Sequence, residues 1–156
     1  MFTGCEVDGS GILYLRAEEP FTVDDVVAFT TAVANGAHPG VTLDMPAVLD
    51  FRRVDLIRIP TADISRYVIR RRALTDPPSA GYMAIVCGDI GSFGMLRMFG
   101  VLAELSGLRS EELLCVTLDM AEAVGFICDR TERADAERER LFARMEAIAA
   151  VQAARG

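Results

Sequence analysis

A chain of 156 residues, 51% hydrophobic and 25% charged, has the size and composition of one globular domain that needs no disulfide or metal staple. Its formal charge of −7 excludes indiscriminate binding to nucleic acid or anionic lipid over the whole surface. All 16 basic side chains are arginine, so no lysine is present for Schiff-base or P-loop chemistry.

In chain order, Phe2–Val7 and Gly11–Arg16 flank Asp8-Gly9-Ser10, a hairpin signal because Gly adopts positive φ at little cost. Thr22 is a helix cap with Asp24 and Asp25 in the first turn. Val23, Val26, Val27, Thr30, Val33 and Ala34 then recur at helical spacing until Asn35-Gly36 stops them. Pro46–Phe51 is a short apolar strand run. Thr61 is placed as the cap of a second helix through Ile64, Tyr67, Val68 and Leu74, ended by Asp76-Pro77-Pro78. A third strand is expected at Tyr82–Cys87, then a glycine-rich turn and a helix from Phe93 to Leu105. Leu113–Leu118 is the next strand, and Asp119-Met120-Ala121-Glu122 opens a helix as a variant capping box. From about Thr131 to Ala154 the pattern predicts one long charged helix with Leu141, Phe142, Met145, Ile148 and Ala149 as its apolar stripe. Strands alternating with helices imply right-handed crossovers and a mostly parallel sheet. The expected fold is therefore α/β: a mixed, mostly parallel sheet of about five strands, an N-terminal antiparallel hairpin, flanking helices and a long C-terminal helix.

The four cysteines (Cys5, Cys87, Cys115, Cys128) form no C-x-x-C pair, and His38 is the single histidine, so neither a zinc site nor any other cofactor is expected. The most apolar region, Phe93–Leu105, is interrupted by Arg97 and Glu104 and is too short to span a bilayer. No basic segment followed by an apolar stretch opens the chain, which points to no signal peptide and a cytoplasmic location.

The element order resembles the STAS (sulfate-transporter and anti-sigma-factor antagonist) arrangement, specifically the bacterial families called anti-sigma-factor-antagonist-like or STAS/CRAL-TRIO-like. The residues that carry the resemblance are Pro20-Phe21-Thr22-Val23-Asp24-Asp25, Val48-Leu49-Asp50-Phe51-Arg52-Arg53-Val54 and Phe93-Gly94-Met95-Leu96-Arg97-Met98-Phe99. Leu118-Asp119-x-x-Glu122-Ala123 with Phe126 completes them. It implies a STAS-like domain over residues 1–129, with 130–156 as a helical extension. It also implies a module that binds a protein partner in a regulatory setting, and its CRAL-TRIO side implies a lipid-like ligand. Antagonist-type STAS domains carry a phosphorylated Asp-Ser-Ser/Thr-Gly stretch after the Asp-Phe strand. Here that position reads Leu56-Ile57-Arg58-Ile59-Pro60-Thr61. Thr61 is the nearest hydroxyl, a phosphosite or simply a helix cap.

Three candidate sites emerge. Gly91, Ser92, Gly94 and Arg97 lie where a strand opens into a helix, an anion-binding arrangement or a tight turn. Arg97, in an otherwise apolar helix, is expected to be buried and paired, with Asp50, Asp89 or Asp119, with an anion, or with another subunit. The second candidate is an Arg-rich stretch. Residues 51–75 hold seven arginines against Asp55 and Asp63, and Arg58, Arg66 and Arg70 form either a partner-docking surface or a solvated face. The stretch is short and lacks interleaved aromatics, so nucleic acid is not the expected partner. The third is the last helix, whose Leu141, Met145 and Ile148 pack back on the domain or against a second copy in a homodimer. No catalytic constellation is present, and G-x-S-x-G is absent. The sequence thus reads as a non-enzymatic, self-associating interaction module, or as a domain binding a small anionic or lipid-like ligand at residues 88–97.

Overall fold

The computed structural model describes residues 1–74 and 81–154, with the side chains of Gln152 and Ala153 not described; the expected Asp76-Pro77-Pro78 stop lies outside them. Strands β1 (Phe2–Glu6) and β2 (Leu13–Glu18) form the antiparallel hairpin. Next come α1 (Val23–Ala34), β3 (Ala47–Arg53), a 3-10 turn (Leu56–Arg58), α2 (Thr61–Ala73), β4 (Met83–Cys87) and α3 (Ile90–Leu105). A second 3-10 turn (Glu111–Leu113) leads to β5 (Leu114–Thr117), α4 (Met120–Arg130) and α5 (Asp135–Ala153). The strand order is β1-β2-β3-β4-β5. Only the β1–β2 pair is antiparallel; the other three pairs are parallel. The fold is the expected α/β architecture.

Local chemistry accounts for the element ends. The hairpin turn uses Asp8 at φ 49° and Gly9 at φ 74°, and Val7 N–H closes on Ile12 O at 2.9 Å. At α1 the Thr22 N–H donates to the Asp25 carboxylate at 2.8 Å, one half of a capping box. At α2 the expectation needs correcting: Pro60 occupies the cap position, and the exposed Thr61 is already the first helical residue. The glycine-rich turn also needs correcting, because α3 begins at Ile90 rather than Phe93. The Asp89 carboxylate accepts from Ser92 N–H at 2.9 Å and from Ser92 Oγ–H at 2.7 Å. That cap, worth about 1 kcal/mol, offsets about one of the helical glycines, each of which costs roughly 1 kcal/mol relative to alanine.

Alternation along each strand divides the core in two. Leu13, Leu15, Ala17, Ala47, Leu49, Phe51, Ile85 and Cys87 face α1, α2 and α3. Tyr14, Val48, Ala84 and Val86 face α4 and α5. The expected long C-terminal helix is present but starts a few residues later than about Thr131: α4 ends at Arg130, Glu132 takes φ 55°, and α5 starts at Asp135. The Arg133 guanidinium holds the reversal by donating to Ser10 O at 2.7 Å and to Glu137 at 2.5 Å. Leu141, Met145 and Ala149 are then buried in the second core, with Ile148 packed beside them. The stripe expected to offer a dimer contact is largely spent within its own chain. Leu141→Ala is expected to cost about 2–5 kcal/mol, read as a lower urea midpoint with an unchanged slope; Arg140→Ala, on the exposed side, is the neutral control.

Candidate functional site

An apolar space lies between the sheet and the α1–α3 layer. A cavity of about 80 Å³ is bounded by Leu49, Phe51 and Ile85 from the sheet, Val23 and Val26 from α1, Ile64 and Tyr67 from α2, and Leu96 and Phe99 from α3. All 14 residues around it are apolar or aromatic. A space of this size has room for water but almost no partners for its hydrogen bonds. A polar groove shares Phe21, Val23 and Ile59 with the cavity and runs past Glu19, Asp55, Arg58 and Asp63. This groove lies beyond the C-terminal ends of β2 and β3, where open α/β sheets take their ligands.

A second cavity, of about 50 Å³, continues toward the N-terminal ends of β2, β3 and β4 and shares Val26, Leu49, Tyr67 and Met83 with the first. Its wall carries Arg71 and Arg109, both buried, at 5% and 6% exposure. Burial, and then the neighbouring Arg71 guanidinium, push Arg109 down to about 10, with Tyr67 and Asp44 opposing. Burial likewise raises the Tyr67 phenol. Sequence reasoning counted Arg71 in the exposed basic stretch and passed over Arg109. Arg71 continues the Ile64, Tyr67, Val68 spacing, so its place on the buried face of α2 was there to be read; Arg109, in a connection, has no such periodicity.

The predicted anion-site residues are not brought together. The Ser92 side chain is fully buried against Asp89, whose carboxylate takes one of the free N–H groups of the first helical turn. A Cβ on Gly91 would meet only the movable, exposed tip of Ile57, and Gly94 faces open space. Arg97 lies roughly 140° around the helix from Ser92. It is not buried: it is 60% exposed and meets Glu111 at 3.7 Å, rather than Asp50, Asp89 or Asp119.

The partner-surface arginines are exposed, and each has an acid beside it. Arg58 meets Asp55 at 2.8 Å, Arg66 meets Asp63, and Arg70 meets Asp24 at 3.4 Å. Such pairs offset much of the local positive charge and are worth at most about 1 kcal/mol each.

The remaining polar cluster lies on the other face, under α5. Tyr14 Oη–H donates to Asp50 Oδ2 at 2.6 Å, and the Arg52 guanidinium donates to both Asp50 oxygens at 2.9 and 2.8 Å. Arg52 also meets Glu146 of α5 at 2.8 Å. Beside it the buried Arg16 pairs with Glu18 at 2.7 Å and donates to the carbonyl of Ala149. These contacts tie α5 to the strand ends. They activate no nucleophile. Burial, joined by the hydrogen bond to Asp50, raises the Tyr14 phenol well above its usual range. Burial likewise raises all four cysteine thiols, leaving them in their unreactive form at neutral pH. Among the described residues no group of three or more His, Cys, Asp or Glu side chains could hold a metal, and no helix is long and apolar enough to cross a membrane.

Comparison with protein-family models, with curated proteins and with solved structures finds no match. The STAS-like resemblance therefore rests on the residues quoted for it and on the order of elements.

Burial pushes the Asp50 carboxyl up, but the hydrogen bonds from Arg52 and Tyr14 outweigh it and hold the carboxyl below its ordinary range. A lowered folded-state value contributes stability above the unfolded value of about 3.9 that is lost as pH falls through the folded one. Chemical denaturation between about pH 6 and pH 2 is expected to show this acid loss, and Asp50→Asn, less stable at neutral pH by about 1–3 kcal/mol, is expected to lose less across the same interval.

Proposed function

We propose that this chain is a non-enzymatic binding domain for a small monocarboxylic acid with an aliphatic or aryl body. The body occupies the cavity beneath α1, α2 and α3, and the acid group faces Arg71 and Arg109. The observation that carries this reading is the wholly apolar and aromatic lining of the pocket beneath α1, α2 and α3, against which the body of such an acid would bury its carbon surface. Buried guanidiniums on the adjoining cavity give the acid its direction. Each has five donors in a planar fork, enough to serve a neighbour within the protein and a carboxylate together. The two volumes suit a body of a few carbons; a longer one requires Tyr67 or Met83 to change rotamer, since these side chains stand between the cavities. The ligand is lipid-like, as the CRAL-TRIO side of the resemblance implies, but its place moves from residues 88–97 to the helix–sheet interface.

The test is thermal unfolding with a series of straight-chain carboxylates, beside native mass spectrometry of the purified protein. At a ligand concentration about 100 times its dissociation constant the melting temperature is expected to rise by roughly 5–10 °C. Leu49→Phe, at the wall shared by the two cavities, is expected to remove the shift. The corresponding alcohols separate the acid's contribution from that of the chain: equal shifts for acid and alcohol refute a role for Arg71 and Arg109. No shift for any acid or alcohol, with no bound mass in the native protein, overturns the reading.

A further inference from the structure

The outer side of α3 is an apolar stripe that stays exposed among the described residues. Ile90, Gly94, Arg97, Val101, Glu104 and Leu105 are all exposed. Successive residues turn by about 100°, which places these six within one arc of roughly 100° along about 22 Å of helix. Ile90 is 75%, Val101 55% and Leu105 80% exposed, an amount of aliphatic surface that a free helix would place in the core. A Cβ on Gly94 would find no atom within 4 Å, so the stripe has a gap where a second backbone could approach. Behind the stripe, Gly100 seats α3 tightly on the sheet edge: a Cβ there would lie 3.1 Å from Leu114 of β5. The stripe is thus presented on a well-supported helix.

Its charges identify the occupant. Arg97 and Glu104 stand two helical turns apart, on either side of Val101, with opposite signs. A surface that carries + and − at equal distances from its own centre is complementary to itself when turned through a two-fold axis. We propose that this face is the contact between two copies of the chain. Two α3 helices cross antiparallel about an axis beside Val101, with Arg97 of each copy against Glu104 of the other. The aliphatic side chains at 90, 101 and 105 supply the buried area, and the two ion pairs set the register. The internal Arg97–Glu111 pair is long, at 3.7 Å and with both side chains about 60% exposed, and it leaves guanidinium donors for the second copy. This assembly is independent of ligand binding beneath α1–α3 and differs from a contact through α5, whose apolar stripe is buried in its own chain.

Sedimentation velocity of the full chain from about 1 to 100 µM, with light scattering at matched concentrations, tests the assignment. The expected result is a dimer that Val101→Asp converts to monomer. Arg97→Glu or Glu104→Arg alone is expected to weaken it at least about tenfold, and the double exchange to recover it to within about threefold. Glu111→Gln, which removes only the internal pair, is expected to leave the dimer intact. Unchanged circular dichroism and urea midpoints establish that each variant is folded. A monomer at the highest concentration, a dimer indifferent to Val101→Asp, or a double exchange no better than its parents overturns the proposal.

Discussion

Parallel strands joined in sequential order by right-handed connections send every crossover helix to the same face of their sheet. Here β2, β3, β4 and β5 follow one another across the sheet, so α1, α2 and α3 are committed to one side. The opposite side, with Tyr14, Val48, Ala84 and Val86 on it, would face water without further chain. Helix α4 crosses back after β5, but it is only 11 residues long and leaves β2 and β3 bare toward their C-terminal ends. Helix α5 fills that space. Leu141, Met145 and Ala149 supply its apolar contacts, and Arg52, Arg16 and Arg133 tie it to the strand ends and the hairpin. The last helix thus completes the second core, and the order of the strands makes it necessary.

The same topology sets the place of the candidate ligand. Three helices on one face must each lean on the sheet and on their neighbours at once, and side-chain volume must fill the seam where they meet. Around Leu49, Tyr67 and Met83 it does not, and two adjoining cavities remain. Buried charge is divided between the faces in an informative way. On the α5 side, Asp50 answers Arg52 and Tyr14 within hydrogen-bonding distance, and the cluster serves as a structural latch. On the α1–α3 side, Arg71 and Arg109 line a cavity, and Arg71 also donates to Leu43 O at 3.4 Å.

The exposed side of α3 follows from its position over the sheet edge. The helix covers β4 and β5, and among the described residues no further helix lies beyond it on that face. Ile90, Val101 and Leu105 therefore remain at the surface, although the sequence around them is as apolar as a core helix. The expectation that Arg97 is buried failed for this reason. An apolar helix is a core helix only where the fold continues on all its sides, and α3 stands at the border of its layer.

Periodicity, turn residues and caps determined the elements. Asp8-Gly9 placed the hairpin, the Thr22/Asp25 box opened α1, and four apolar runs marked β2 to β5 within a few residues. These are signals between residues close in the chain, and local sterics and hydrogen bonds suffice to read them. The failures at the same range arose where two local rules competed. At residues 88–94 glycine content argued for a turn while Asp89 and Ser92 argued for a cap, and the cap prevailed. At Thr61 a proline one residue earlier took the cap position. Tertiary structure alone decided which side of each element is covered. It put Ser92 and Arg97 on different sides of one helix, turned Leu141 and Met145 inward, and drew Arg71 and Arg109 from separate elements to one cavity. Those outcomes depend on which neighbours the strand order supplies, and contacts between residues far apart in the chain leave no period in the sequence from which to read them.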